Sequence, residues 1–117
     1  MTTTVQSMVT DARELLDVAA QSHYTDAQLA QYVVEGVRRM YSVRPSSRYG
    51  EGVIDDQVFP TESAALLAFG VRVNEARWRH GIVYWAAGLA HEVGITDSVK
   101  LQMAQTLKKQ ADEVFMS

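Results

Sequence analysis

The chain contains no cysteine. Disulfide frameworks and thiolate metal sites are therefore excluded, and the composition fits a reducing compartment. Long apolar runs are also missing, since none approaches the roughly 20 residues that span a bilayer. The opening MTTTVQSMV lacks the basic region and extended apolar core of a signal peptide, so a soluble protein that stays in the cytoplasm is expected. Positive charge is not in excess: 11 Lys and Arg face 14 Asp and Glu, giving a net charge of −3 and a pI near 5.5. A dedicated duplex-DNA binder draws most of its affinity from phosphate neutralisation and usually shows a basic excess. Avid nucleic-acid binding is a poor first expectation here.

What is present is an ordinary globular balance, 47% apolar and 21% charged over 117 residues. That length suits one domain with one core. No internal repeat, low-complexity tract or linker divides it, so a single helical domain over residues 1–117 is expected. Val5, Met8, Val9, Ala12, Leu15 and Leu16 recur at helical spacing and predict a first helix over about 4–19. Thr3 and Gln6 fit a capping box at its start. The second predicted helix, 26–43, carries stronger signals. Thr25 and Gln28 form another capping box, Tyr24 and Leu29 are placed for a hydrophobic staple, and Asp26 suits the first-turn dipole. Leu29, Val33, Val37 and Met40 run down one face, and Gly36 among them suggests close helix packing. Pro45 ends the helix at or before Arg44.

Residues 45–73 read differently. SSRYGEGVIDDQVFPT is rich in turn formers and reads as a loop or short β-hairpin. Leu67, Phe69, Val71 and Val73 then alternate with other residues, which predicts a strand, with a short helix over 62–69 as the competing reading. An excursion of this length inside a bundle is usually functional or disordered. A third predicted helix covers 76–93, with Ile82, Trp85, Ala86, Leu89 and Val93 as its buried stripe and Gly81 and Gly88 as small contact sites. Gly94 and Ile95 suggest a Schellman cap. A fourth follows over 97–115, capped by Thr96 or Asp97, with Val99, Met103, Leu107, Ala111 and Val114 as its stripe and Ala104 and Phe115 alongside. The short connection makes these last two antiparallel. The expected fold class is all-α: a four-helix subunit with a long loop or short β-hairpin between helices 2 and 3.

Signs of chemistry are sparse. His23, His80 and His91 form no HxxxH or HExxH pair, so partly exposed histidines are expected rather than a metal site. Asp55 and Asp56 are adjacent in a loop, which gives no sign of two carboxylates converging with different environments. No serine lies in a GxSxG elbow and no glycine run has phosphate-binding spacing. The expectation is therefore no enzyme, no catalytic residue, no cofactor and no metal. Two basic clusters remain, Arg38, Arg39, Arg44 and Arg48, then Arg72, Arg77 and Arg79. Helix-dipole stabilisation suffices for Arg38 and Arg39. Arg44 and Arg48 lie at or beyond the helix end and suggest contact with a partner's carboxylates or a phosphate backbone. Arg77, Trp78, Arg79 and His80 have the composition of an interface hot spot, while Trp78 covering the end of a core is the other reading.

The order of these features is familiar. MVTDARELLD, then YTDAQLAQYVVEGVRRMYSVRP, a variable polar excursion, IVYWAAGLAHE and a closing AQTLKKQADEVF together resemble the head-tail adaptor (connector, or head-completion) proteins of tailed bacteriophages. The best match is the capped second helix, Y-[ST]-D-x-x-L leading to R-P. The resemblance implies a homo-oligomeric ring of roughly twelve subunits, closed by heterologous contacts. Such a ring docks on the portal protein, extends the DNA channel, links capsid to tail, and meets a downstream neck or tail protein. It implies a virion (neck) location for a protein made in the host cytoplasm, transient non-specific contact with genomic DNA, and no membrane partner. Carried over, Lys108, Lys109, Phe115 and Met116 become portal-side residues. Arg38, Arg39, Arg44, Arg48, Arg77, Trp78 and Arg79 join them as inter-subunit or portal contacts. Arg48, Tyr49, Glu51, Asp55 and Asp56 belong to the mobile loop. A small helical DNA-binding regulator, suggested by the second helix and its arginines, is the alternative.

Overall fold

The chain is described from a computed structural model, which covers residues 2–16, 24–44, 59–73, 75–92 and 98–116. Among these residues, five helices and a small two-stranded sheet follow in the order β1 (Thr2–Thr4), α1 (Val5–Glu14), α2 (Asp26–Val43), α3 (Ser63–Ala68), β2 (Gly70–Arg72), α4 (Ala76–Glu92) and α5 (Ser98–Met116). The described chain is thus mostly helical, compatible with an all-α fold.

The start of α1 differs from the capping box expected at Thr3 and Gln6. Thr4 is the N-cap, and its side chain accepts from the Ser7 backbone N–H. Thr3 instead sits in β1 with its hydroxyl 3.1 Å from Ser7 Oγ. The helix also stops at Glu14 rather than near residue 19. Leu15 and Leu16 donate to carbonyls three residues back, Ala12 and Arg13, and this tightening closes the last turn. Leu16 is thereby buried, while Leu15 stays 38% exposed.

At the start of α2 the reciprocal capping box is present, with Gln28 N–H donating to Thr25 Oγ1 and Thr25 N–H to Gln28 Oε1. Leu29, Val33, Val37 and Met40 are fully buried. Ala30, Val34 and Tyr41 widen the stripe, because α2 packs against both α1 and α4. Gly36 marks the crossing with α4: a Cβ there would lie 2.9 Å from the Ile82 carbonyl oxygen. The Arg44 N–H closes the helix on Met40 O at 2.8 Å.

The alternation expected to make a strand from Leu67 to Val73 divides at Phe69. SAALLA forms α3, with Glu62 capping the Ala64 and Ala65 N–H groups, and Leu66 rather than Leu67 is buried. Strong helix formers and a cap outweigh the period-two pattern in that half. Only Gly70–Arg72 is strand, with Val71 and then Val73 turned inward. Among the described residues its partner is not a sequence-adjacent strand. β2 runs antiparallel to β1, with Thr3 opposite Val71, so the excursion is tied to the N-terminal strand.

α4 lies between the α1–α2 pair and α5. Trp78, Ile82, Val83, Ala86, Ala87 and Ala90 are buried, so apolar residues occupy most of its circumference, as a central helix requires. Trp85 and Leu89, expected in the core, are only partly buried, and Val93 lies outside the described residues. α5 presents a rotated face: Ala104, Ala111 and Phe115 are fully buried, whereas Met103 is 44% exposed. The reason lies in α4. A Cβ at Gly81 would fall 2.9 Å from Phe115 Cδ1, and one at Gly88 would fall 3.1 Å from Ala104 O. The two glycines form hollows that admit Phe115 and the Ala104 turn, and so choose the side of α5 that faces inward. Gly81 meeting Phe115 while Gly88 meets Ala104 makes the helices antiparallel. The capping expectations at Gly94, Ile95, Thr96 and Asp97 lie outside the described residues.

Candidate interaction surface

The arginines of α2 occupy different environments. Arg38 is on the solvent face, paired with Glu35 at 2.9 Å. Arg39 reaches across to α5 and grips Asp112 with both arms, Nε to Oδ1 at 2.9 Å and Nη2 to Oδ2 at 2.7 Å. The carboxylate hydrogen bond raises the Arg39 pKa above its ordinary value against the opposing effect of burial. Its guanidinium also lies 4.9 Å over Trp85. Arg44 donates from Nε to the Phe115 carbonyl at 2.8 Å and lies 5.4 Å over Trp78. The residue that helix physics left unexplained therefore caps the last turn of α5, satisfying a carbonyl that has no intrahelical partner.

The second cluster is likewise tied to its own chain. Arg77 pairs with Glu75 at 2.6 Å. Arg79 donates to Thr3 Oγ1 at 3.0 Å and Ser7 Oγ at 3.2 Å and pairs with Asp11 at 2.6 Å, joining α4 to β1 and α1. Trp78 is buried among core side chains, and its Nε1 has no acceptor among the described residues. Lys108 pairs with Glu92 and lies 5.1 Å from the Trp85 ring centroid. Phe115 has no accessible surface for a partner to touch in this conformation. Lys109 is exposed, and Met116 is 70% exposed. Arg48, Tyr49, Glu51, Asp55 and Asp56 lie outside the described residues.

Tyr24, His91 and Arg13 lace one end of the bundle. The Tyr24 hydroxyl donates to Ala90 O at 2.5 Å, and its pKa is raised by burial and by Tyr32. His91 is buried with Nε2 3.3 Å from Leu15 O. Arg13 holds Tyr24 O at 2.8 Å and Asp26 at 2.5 Å. His80 is exposed. Among the described residues, no three His, Asp or Glu side chains cluster in a metal-binding arrangement, and no helix is long and apolar enough to cross a membrane.

Two features escape the helical periodicity. One is the cation–Trp85–cation stack, which joins residues far apart in sequence. The other is an open apolar groove of about 360 Å³ lined by Leu15, Gln102, Met103, Thr106 and Leu107. The Leu15–Leu16 doublet was its one sequence signal, because the tightened end of α1 can bury only one of the two. No family model, curated protein or solved structure matches this chain.

Proposed function

We propose that this chain is a structural subunit of the tailed-phage neck: an adaptor that assembles into a ring on the portal, extends the DNA channel and links the capsid to the tail. The observation that carries the reading is the order of elements. In this reading α1, α2, α4 and α5 correspond to the four helices of the resemblance, and α3 and β2 fall in the excursion between the second and third of them. This order accompanies the capped second helix and its closing Arg-Pro, the features on which the resemblance rests.

In this reading the protein works by matching surfaces rather than by chemistry. Ring closure asks each subunit for two different faces. The exposed members of the sequence-derived set, Arg38, Arg77, Lys109 and Met116, are the ones available to neighbours or portal. Arg39, Arg44, Arg79 and Lys108 shape those faces from within. The DNA-binding regulator is less favoured, because Arg39 and Arg44 are engaged by Asp112 and Phe115. Gly36 also sits in a helix crossing rather than in a turn between two helices. Negative-stain imaging of the protein, alone and with the purified portal of its phage, tests the proposal. Rings, or rings that form only on the portal, are expected. A monomer or dimer that shifts a DNA probe with steep salt dependence would favour the regulator.

A further inference from the structure

α5 is the longest of the described helices, at 19 residues, yet few of its side chains are fully buried. Among its described side chains only Ala104, Ala111 and Phe115 are fully buried, and two of these are alanines. Leu101 and Met103 remain 41% and 44% exposed. By comparison, α2 buries eight residues and α4 nine. The stripe of α4 that α5 covers includes Gly81, Trp85, Gly88 and Glu92, as their contacts with Phe115, Lys108 and Ala104 show. These positions form one helical row, and two of the four are glycine, so the row itself offers Trp85 as its one large apolar side chain, and on α5 the large apolar side chain held against it is Phe115, with Leu107 and Val114 only partly buried. Polar fastenings reinforce the seam. Arg39–Asp112 and Lys108–Glu92 stack their cations on Trp85, and Arg44 holds the Phe115 carbonyl. The packing of α1, α2 and α4 on one another, including the Gly36–Ile82 crossing, does not pass through α5.

We propose that α5 is a strap that opens as a unit from a core of α1, α2 and α4, and that the two ion pairs at Trp85 set how often it opens. Elements with few buried apolar contacts open below the global unfolding free energy, and partly exposed ion pairs are the contacts a partner or salt can most readily weaken. The inference stands independently of the ring reading.

Amide hydrogen exchange on the full chain tests it, under conditions where exchange reports the opening equilibrium. Amides in the middle of α5 are expected to exchange at least about tenfold faster than those of α2. The double variant Arg39→Gln/Lys108→Met should speed α5 severalfold further and leave α2 unchanged. A lock provides the converse. A Cβ at Gly88 would lie 3.5 Å from Leu107 Cβ, within disulfide reach, and the chain has no other cysteine. Oxidised Gly88→Cys/Leu107→Cys should slow α5 to the α2 rate, and reduction should release it. A single common rate for α5 and α2 in the unmodified protein overturns the proposal. So does equal acceleration of both helices in the charge variant, which leaves the test intact if the lock fails to fold.

Discussion

Replacing Gly36 with alanine sets two well-understood effects against each other. In an unpacked helix the change should stabilise, because alanine is better than glycine by about 1 kcal/mol. Here the new Cβ would lie 2.9 Å from the Ile82 carbonyl oxygen and 3.1 Å from Ile82 Cγ2. The carbonyl belongs to the α4 backbone, and Ile82 is fully buried, so neither contact is relieved by a side chain swinging into solvent. The helices must separate, and overpacking of this kind costs about 1–3 kcal/mol. The steric effect should win, leaving Gly36→Ala less stable by roughly 1–2 kcal/mol, or a melting temperature lower by about 3–10 °C for a domain of this size. Urea denaturation followed by tryptophan fluorescence and circular dichroism measures it, with the midpoint falling and the slope unchanged. Glu35→Ala is the internal control: Glu35 is exposed, pairs with Arg38, and its loss should stay within about 0.5 kcal/mol of the parent. A Gly36→Ala protein more stable than its parent would refute the reasoning, since the crossing could not then be this close.

Three further outcomes follow from other parts of the fold. Thr25→Ala removes the acceptor for the Gln28 N–H and breaks the capping box, so it should lower stability by about 1 kcal/mol in the same urea assay. For Arg39 and Asp112, whose side chains are 37% and 29% exposed, a double-mutant cycle should give a coupling of only about 0.5–1 kcal/mol despite the two-armed geometry, shrinking in high salt. Zero coupling at low salt would contradict the clamp. Tyr24→Phe forfeits the hydrogen bond to Ala90 O and should lose about 1 kcal/mol at neutral pH. Because burial and Tyr32 raise the Tyr24 pKa above 10.0, the fold favours the neutral phenol and the unfolded chain ionises first. That contribution is intact below about pH 10 and lost as pH rises through the folded-state pKa. The Phe variant should therefore show a shallower alkaline decline in stability, measurable by urea midpoints across alkaline pH.

Much of the frame was legible in the sequence because its signals are local. The Thr25–Gln28 box and the Pro45 stop bracket α2, and the stripe from Leu29 to Met40 names its buried face. Gly36, Gly81 and Gly88 stood out as sites of close approach, and each lies against a backbone or ring of another helix. The errors occurred where a second element decides between local options. The alternation from Leu67 to Val73 describes a strand, but β2 needed a partner, and its partner was Thr2–Thr4 at the other end of the chain. Helical spacing alone runs the stripe of α5 through Met103, with Ala104 and Phe115 alongside, yet Met103 is 44% exposed. The hollows at Gly81 and Gly88 instead select Phe115 and the small Ala104. Arg44 looked unexplained for the same reason: the carbonyl it holds lies 71 positions along the chain. Charged residues that seemed poised for a partner were in several cases already fastening one helix to another.

Native mass spectrometry tests the adaptor reading most directly, with the 13.0 kDa chain measured alone and after mixing with the purified portal of its phage. The account predicts a closed ring, free or portal-bound, with the complex heavier than the portal by a fixed mass of roughly twelve subunits. A portal mass left unchanged at saturating protein, beside a monomer or dimer that forms no ring at any concentration, would contradict it.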